Sequence, residues 1–226
     1  VVHLDSVCNS PELREAHNDM LPAISAFQAK ISLDPELWNA VKTFAQKSES
    51  ENLEPVDRRL LDEIVQDFEE SGADLPEEKR NRLQEISSEL AKATQTFSEH
   101  VLDATNAWSI TATEEEELAG LPENAKTAAR QAAIEKLGEE KGANSWVFTL
   151  HAPSMLPVLQ YGDNEDLRRE IWTASDRLCV DEPFQNEPLI REILKLRQER
   201  AEILGKDNFA DVALARRLAK TGGKAT

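Results

Sequence analysis

The pattern of hydrophobic and polar positions predicts helices over most of the chain. Ser10-Pro11 and Asp34-Pro35 each place a capping side chain before a proline, a combination typical of a helix start. The first predicted helix carries apolar residues at spacings of three and four positions: Leu13, Ala16, Met20, Ile24 and Phe27. Pro22 interrupts this run and predicts a kink or a break there.

The second predicted helix, which follows Pro35, has its apolar residues on one face. They are Leu37, Trp38, Val41, Phe44 and Ala45. A polar connector over 48–52 separates this helix from a third, which we expect over 55–71. Gly72 comes next and suits the left-handed conformation that often ends a helix.

A long fourth helix is predicted from about residue 76 to residue 105. Its apolar residues recur every three or four positions: Leu83, Ile86, Leu90, Ala93, Phe97 and Val101. So regular a stripe favours lengthwise packing against another helix. Because the turn at 72–74 is short, we expect the third helix to be its antiparallel partner.

Beyond residue 106 the pattern becomes mixed. Apolar and polar residues alternate over 107–111, and 146–150 is a short apolar run, so both segments are strand candidates that could pair as a small ribbon. Two helical features lie between them. They are a capping box over Thr113–Glu116 and an alanine-rich helix over 122–137 that ends at Gly138.

The C-terminal part returns to helices. Pro153 and Pro157 predict that 152–161 is a short, irregular helix. Either Asp163 or Asn164 then caps a helix that reaches about residue 176. A loop over 183–188 precedes two more predicted helices, 189–204 and 208–219.

These elements predict a mainly α fold: a helical lobe with a long antiparallel helix pair and one small β ribbon. We expect one lobe over residues 1–226, built from four consecutive segments. They are leading helices (1–52), the long helix pair (53–106), the ribbon with an irregular segment (107–162) and C-terminal helices (163–226).

Composition narrows the classes of function. The 226 residues include 26 Lys and Arg against 43 Asp and Glu, a formal charge of −17. Such a charge repels phosphate backbones and anionic lipid, so we expect neither nucleic acid nor a membrane as partner. Two cysteines fit a reducing compartment. The start has no initiator Met and no signal-peptide pattern, and we expect both ends to be cut from a longer chain.

No complete set of catalytic groups is recognisable. None of the four histidines (His3, His17, His100 and His151) begins an H-E-x-x-H motif. His100 lies close to the apolar stripe of the long helix, which favours a packed histidine over a metal ligand, whereas a site role for His151 stays open. The two cysteines have no neighbouring histidine, and no serine lies in G-x-S-x-G. We therefore predict no catalytic residue and no metal ligand in this chain, and the pattern assigns no substrate-binding residue.

Several segments, in order along the chain, share their residues with a known family of enzymes. They are Leu75-Pro76-Glu77-Glu78-Lys79, Glu85-Ile86-Ser87-Ser88-Glu89-Leu90, the segment 97–105, Glu117-Leu118-Ala119-Gly120-Leu121-Pro122, the segment 152–159, Tyr161-Gly162-Asp163-Asn164 and the segment 204–211. Together they resemble the N-terminal lobe of the thimet oligopeptidase and oligopeptidase A family. His100 departs from the Asn usual in that family.

The resemblance implies a neurolysin-like helical lobe that forms one wall of a deep channel. The full-length proteins of this family are zinc metallopeptidases that hydrolyse short peptides. Their H-E-x-x-H motif and a downstream Glu lie in the C-terminal half, so no catalytic or zinc-binding position is transferred to this chain. The implied cofactor is Zn in the full-length protein, with none bound by this chain. The implied partners are short peptides and the C-terminal catalytic half, and the implied location is the cytoplasm.

Two questions stay open at the level of sequence. The chain could instead be a stand-alone, non-catalytic helical module that binds peptides or proteins, or, less favoured, a helical scaffold that self-associates. Trp146, Phe148, His151 and Tyr161 could face a channel, although a hydrophobic cluster under the ribbon is the favoured interpretation.

Overall fold

The computed structural model describes residues 2–8, 10–48 and 52–226. Most of the predicted polar connector, at 49–51, therefore lies outside the described residues. The chain forms two compact units: unit 1 comprises Val1–Gln95 and Leu189–Thr226, and unit 2 comprises Thr96–Pro188. The division into four consecutive segments remains a prediction.

Helices dominate the described residues, as the periodicity predicts. In chain order the elements are α1 (Val2–Val7), α2 (Pro11–Ser32), α3 (Pro35–Ser48), α4 (Pro55–Ser71), α5 (Glu77–Ala107), β1 (Ser109–Ala112), a 3₁₀ helix (Glu115–Leu118), α6 (Glu123–Leu137), α7 (Glu139–Gly142), β2 (Trp146–Thr149), α8 (Ala152–Tyr161), α9 (Glu165–Asp176), α10 (Glu187–Ile203), α11 (Phe209–Leu214) and α12 (Gly222–Ala225). The mainly α class with one small ribbon is confirmed. No helix in the described part of the chain is long and apolar enough to cross a bilayer.

The predicted helix starts in unit 1 are confirmed by their caps. The Ser10 side chain accepts a hydrogen bond from the Leu13 amide at 3.2 Å, and Asp34 Oδ1 accepts from the Glu36 and Leu37 amides at 2.9 Å. The predicted break at Pro22 is wrong, because α2 continues through it from Pro11 to Ser32. A proline removes only one backbone donor. The other hydrogen bonds of this 22-residue helix keep it continuous through Pro22.

The junction of α4 and α5 depends on Gly72. Its φ of 90° is left-handed, and a Cβ at this position would lie 2.7 Å from Leu83 Cδ1. Within α5, Leu83, Ile86 and Ala93 are buried, whereas the other residues of the predicted stripe are half-buried. These are Leu90, Phe97 and Val101. Lengthwise packing of α4 on α5 remains a prediction.

Trp38 joins α3 to the turn between α4 and α5. Its ring stacks on Phe68 with centroids 5.5 Å apart, and its Nε1–H donates to Asp74 Oδ1 at 2.7 Å. Lys42 Nζ donates to the same oxygen at 2.9 Å. The hydrogen bond from Trp38, followed by that from Lys42, lowers the pKa of the Asp74 carboxyl below its usual value.

Arg82 connects the two sequence segments of unit 1. Its guanidinium makes two hydrogen bonds to the Glu199 carboxylate of α10, at 2.6 and 2.9 Å, and one each to Glu85 and Glu89 at 3.0 Å. The paired geometry with Glu199 is the strong, bidentate form of an ion pair. It raises the pKa of Arg82 and lowers the pKa of Glu199.

The core of unit 2 is built on the ribbon. β1 and β2 pair antiparallel with Ile110 opposite Phe148, which confirms the predicted pairing. The buried cluster beneath them contains Ala112, Leu118, Leu121, Ala129, Trp146, Phe148, Val158, Leu167 and Ile171. The side chains of α6, α8 and α9 thus close over one small sheet.

Local details of the C-terminal half differ from the predictions. The capping box is shifted by one residue, because Glu114 and Glu117 form it rather than Thr113 and Glu116. The segment 152–161 is a continuous α-helix with Pro157 inside it, and α7 was not predicted. The predicted cap of α9 is confirmed, because Asn164 accepts hydrogen bonds from the amides of residues 166 and 167 at 3.1 Å. The last predicted helix is shorter than expected, since α11 ends at Leu214.

Replacing Ile86 should weaken unit 1 strongly, because this side chain is 0% exposed. We expect Ile86→Ala to lower the free energy of unfolding by about 2–5 kcal/mol through lost burial and the cavity left behind. The exposed Lys92→Ala variant on the same helix is the control. Denaturant unfolding measures both, and equal midpoints for the two variants would contradict this burial.

Asp74 should contribute a pH-dependent part of the stability of unit 1. A carboxyl with a lowered folded pKa stabilises above its unfolded pKa of about 3.9, and this stabilisation is lost as pH falls through the folded pKa. Because Asp74 is 53% exposed, we expect Asp74→Asn to cost less than about 1 kcal/mol at pH 7.

The difference between wild type and Asp74→Asn should shrink as pH falls below that unfolded value. Denaturant unfolding across this pH range measures it, with exposed Asp62→Asn in α4 as control. A difference that grows towards low pH would refute the assignment.

Candidate functional site

The candidate site is a cavity of about 600 Å³ in unit 2. Its walls are mainly apolar and come from the end of α5, the loop after β2, and α9 with the segment that follows it. Apolar and small lining residues include Ala104, Trp108, Leu150, Ala174, Leu178 and Phe184. A cavity of this size and polarity suits a bound apolar group of a small ligand or peptide.

Both arginines that line the cavity, Arg169 and Arg177, are paired with neighbouring carboxylates. Arg169 bonds Asp166 at 2.9 Å and Glu165 at 2.5 Å, and Arg177 bonds Asp181 at 2.9 Å. These pairs are exposed, so each adds little to stability.

Asn186 holds the loop that carries Phe184. This side chain is only 3% exposed. Its Oδ1 accepts a hydrogen bond from His100 Nδ1 at 2.9 Å, and its Nδ2 donates to the Phe97 carbonyl at 3.2 Å. Its backbone N–H donates to the Cys179 carbonyl at 2.9 Å. Three hydrogen bonds made by one buried residue thus fix the loop to α5 and to the segment that follows α9.

The cavity lining lacks an activated nucleophile. Cys179 lines it, and burial raises the pKa of its thiol. A thiol with a raised pKa is protonated at neutral pH and is a weak nucleophile. The geometry therefore supports binding rather than bond cleavage by the described lining residues.

The structure separates the aromatic and histidine residues that the sequence grouped. Trp146 and Phe148 lie in the core of unit 2, which agrees with the favoured hydrophobic cluster. His151 precedes α8 and is exposed, and Tyr161 is 55% exposed. None of these four lines the cavity. His100 is packed through Asn186 and meets the Phe184 ring edge-on at 6.3 Å.

Zinc, the metal that the family resemblance implies, needs several ligand side chains that converge on one point. In residues 2–8, 10–48 and 52–226, no group of three or more His, Cys, Asp or Glu side chains is placed to hold a metal ion. The described residues thus do not fit a zinc site. The absence of catalytic residues from the chain stays a prediction.

Sequence reasoning did not find the cavity, because its lining residues are far apart in the chain. Trp108 directly follows α5 and Phe184 lies in a loop, and neither carries a recognisable motif. One signal was available: Trp108 and Phe184 are large aromatic residues outside the long helices.

Two parts of the chain match described protein families. Residues 1–80 match the family Neurolysin/Thimet oligopeptidase, N-terminal domain, and residues 158–225 match Peptidase family M3. The two matches lie in the N-terminal and C-terminal parts of the chain, and the motifs that resemble this family also occur in both parts.

Curated relatives extend the similarity along nearly the whole chain. Oligopeptidase A of Salmonella typhimurium is 38% identical over 225 residues, covering 97% of this chain and 32% of the relative. Oligopeptidase A of Escherichia coli is 37% identical with the same coverage. The probable cytosolic oligopeptidase A of Arabidopsis thaliana is 35% identical, covering 96% and 31%. The chain spans about a third of the length of these relatives.

Asn186→Ala should loosen the cavity loop. The change leaves His100 Nδ1 and the Phe97 carbonyl without their partner, so we expect a loss of about 1–3 kcal/mol in the free energy of unfolding. The neighbouring Gln185→Ala, which alters a half-buried residue, is the control and should stay close to wild type. Denaturant unfolding compares the three proteins, and an unchanged Asn186→Ala midpoint would show that these bonds do not stabilise the loop.

Proposed function

The chain belongs to the thimet oligopeptidase and oligopeptidase A family, and from this membership we propose that it is the N-terminal, channel-wall portion of a zinc metallo-oligopeptidase. The full-length protein hydrolyses short peptides in the cytoplasm, and the 226 residues alone are inactive. The observation that carries this proposal is similarity to oligopeptidase A over 97% of the chain. The ordered matches to the N-terminal domain family and to Peptidase family M3 support it.

In the full-length protein, this chain and the zinc-binding portion have different roles. When bound, zinc supplies a Lewis acid and an activated water in such peptidases. This chain contributes surface for binding and for excluding folded proteins. The apolar cavity of unit 2 receives an apolar side chain of the peptide, and its paired arginines face the peptide backbone or its terminal carboxylate. A wall that orients the peptide lowers the entropic cost of reaching a reactive geometry.

The cytoplasmic location is supported by two features. One Arabidopsis thaliana relative is the probable cytosolic oligopeptidase A, and two free cysteines fit a reducing compartment. Another Arabidopsis thaliana relative is named organellar, so fractionation of the native protein is the direct measurement.

Peptide hydrolysis tests the proposal. We expect the natural reading frame to continue beyond residue 226 and to contain an H-E-x-x-H motif. The longer protein should cleave a quenched fluorescent peptide, lose activity with a chelator and regain it with zinc. The 226-residue chain should cleave none under the same conditions.

The stand-alone binding module makes a different prediction. Its reading frame ends with this chain, and the protein binds peptides with no chelator-sensitive hydrolysis in any form. A stop codon directly after Thr226 would therefore refute the peptidase proposal.

A further inference from the structure

α2 presents four of its large apolar side chains outward. Met20, Ile24, Phe27 and Ile31 are 55, 44, 65 and 47% exposed. They recur at spacings of four, three and four positions, so they form one stripe along the helix. We call these four residues the α2 stripe.

The adjoining face of α2, which packs within unit 1, carries mainly small and polar side chains. Its buried members are His17 and Ala29, and Leu21 and Ser25 between them are half-buried. A surface helix ordinarily turns its apolar face to the core and its polar face to water. In α2 most of the apolar volume is on the side that packing within unit 1 leaves uncovered.

The length of the α2 stripe suits a helical or grooved partner. Eleven residue steps from Met20 to Ile31 at the helical rise cover about 16 Å, and anchors at i, i+4, i+7 and i+11 are the pattern by which an amphipathic helix docks on an apolar surface. A contiguous exposed stripe of this kind marks an interaction site in a soluble protein.

We propose that the α2 stripe docks on an apolar surface of the catalytic portion of the same, longer polypeptide. The inference rests on the proposed function and deepens it by naming the surface that joins the two portions. Curated relatives have about two thirds of their length beyond the region matched here, and that region supplies the occupant. A second copy is disfavoured because each chain carries a formal charge of −17, and like charges oppose association.

Methionine oxidation tests the docking directly. The chain has two methionines: Met20 in the α2 stripe, and Met155, which is partly buried against the core of unit 2. Peroxide oxidation followed by peptide mass spectrometry gives both rates in the 226-residue chain and in the longer natural protein. We expect Met20 to oxidise at least about tenfold more slowly in the longer protein, since burial limits oxidation, with the Met155 rate unchanged.

Paired substitutions give a second readout. Ile24→Ser with Phe27→Ser should lower the Tm of the longer protein by about 5 °C or more and restore fast Met20 oxidation. The same pair should shift the Tm of the 226-residue chain by less than about 1 °C, because exposed positions contribute little. Ala26→Ser with Gln28→Ser, two exposed positions off the stripe, is the matched control and should leave both proteins unchanged.

The outcomes separate this inference from the proposed function. An active longer protein whose Met20 oxidises as fast as in the short chain overturns the docking surface alone. A longer protein with a protected Met20 but no zinc-dependent hydrolysis overturns the function alone. Slow Met20 oxidation in both proteins points to a second copy as occupant, and a reading frame that ends at Thr226 overturns both.

Discussion

The burial of Trp146 and Phe148 under α6 and α8 is the interaction on which the geometry of unit 2 depends. Both side chains are at most 5% exposed, and β2, which carries them, contacts both helices. A ribbon of two four-residue strands has little stability by itself. The apolar cluster beneath it therefore fixes β1 and β2, and with them the positions of Trp108 and Leu150 at the cavity wall.

Helix type and position could be predicted from the sequence because the signals are local. Serine, aspartate and asparagine caps at 10, 34 and 164 act on amides two or three residues away. Gly72 ends α4 through its own backbone conformation. Such features need no knowledge of the fold, which explains why the bounds of α2 to α5 agree closely with the periodicity.

Features that depend on tertiary contacts could not be predicted in the same way. Regular spacing identified α2 as a helix but could not say which of its faces packs, and the larger apolar face lies outward. The cavity is assembled from three separated segments, so its existence follows only from their packing. The clustering of aromatics near 146–161 suggested a site, yet two of those residues are in the core because burial of large rings dominates a small unit.

Unit 1 is discontinuous, and this has a consequence for synthesis. A nascent chain that has reached Pro188 contains all of unit 2 but lacks Glu199, the partner of Arg82. Domains emerge from the ribosome amino end first and fold as units. Unit 2 can therefore complete its core before α10, which belongs to unit 1, has been translated. The amino-terminal helices are thus translated before unit 2, but unit 1 is completed only after unit 2 has been translated.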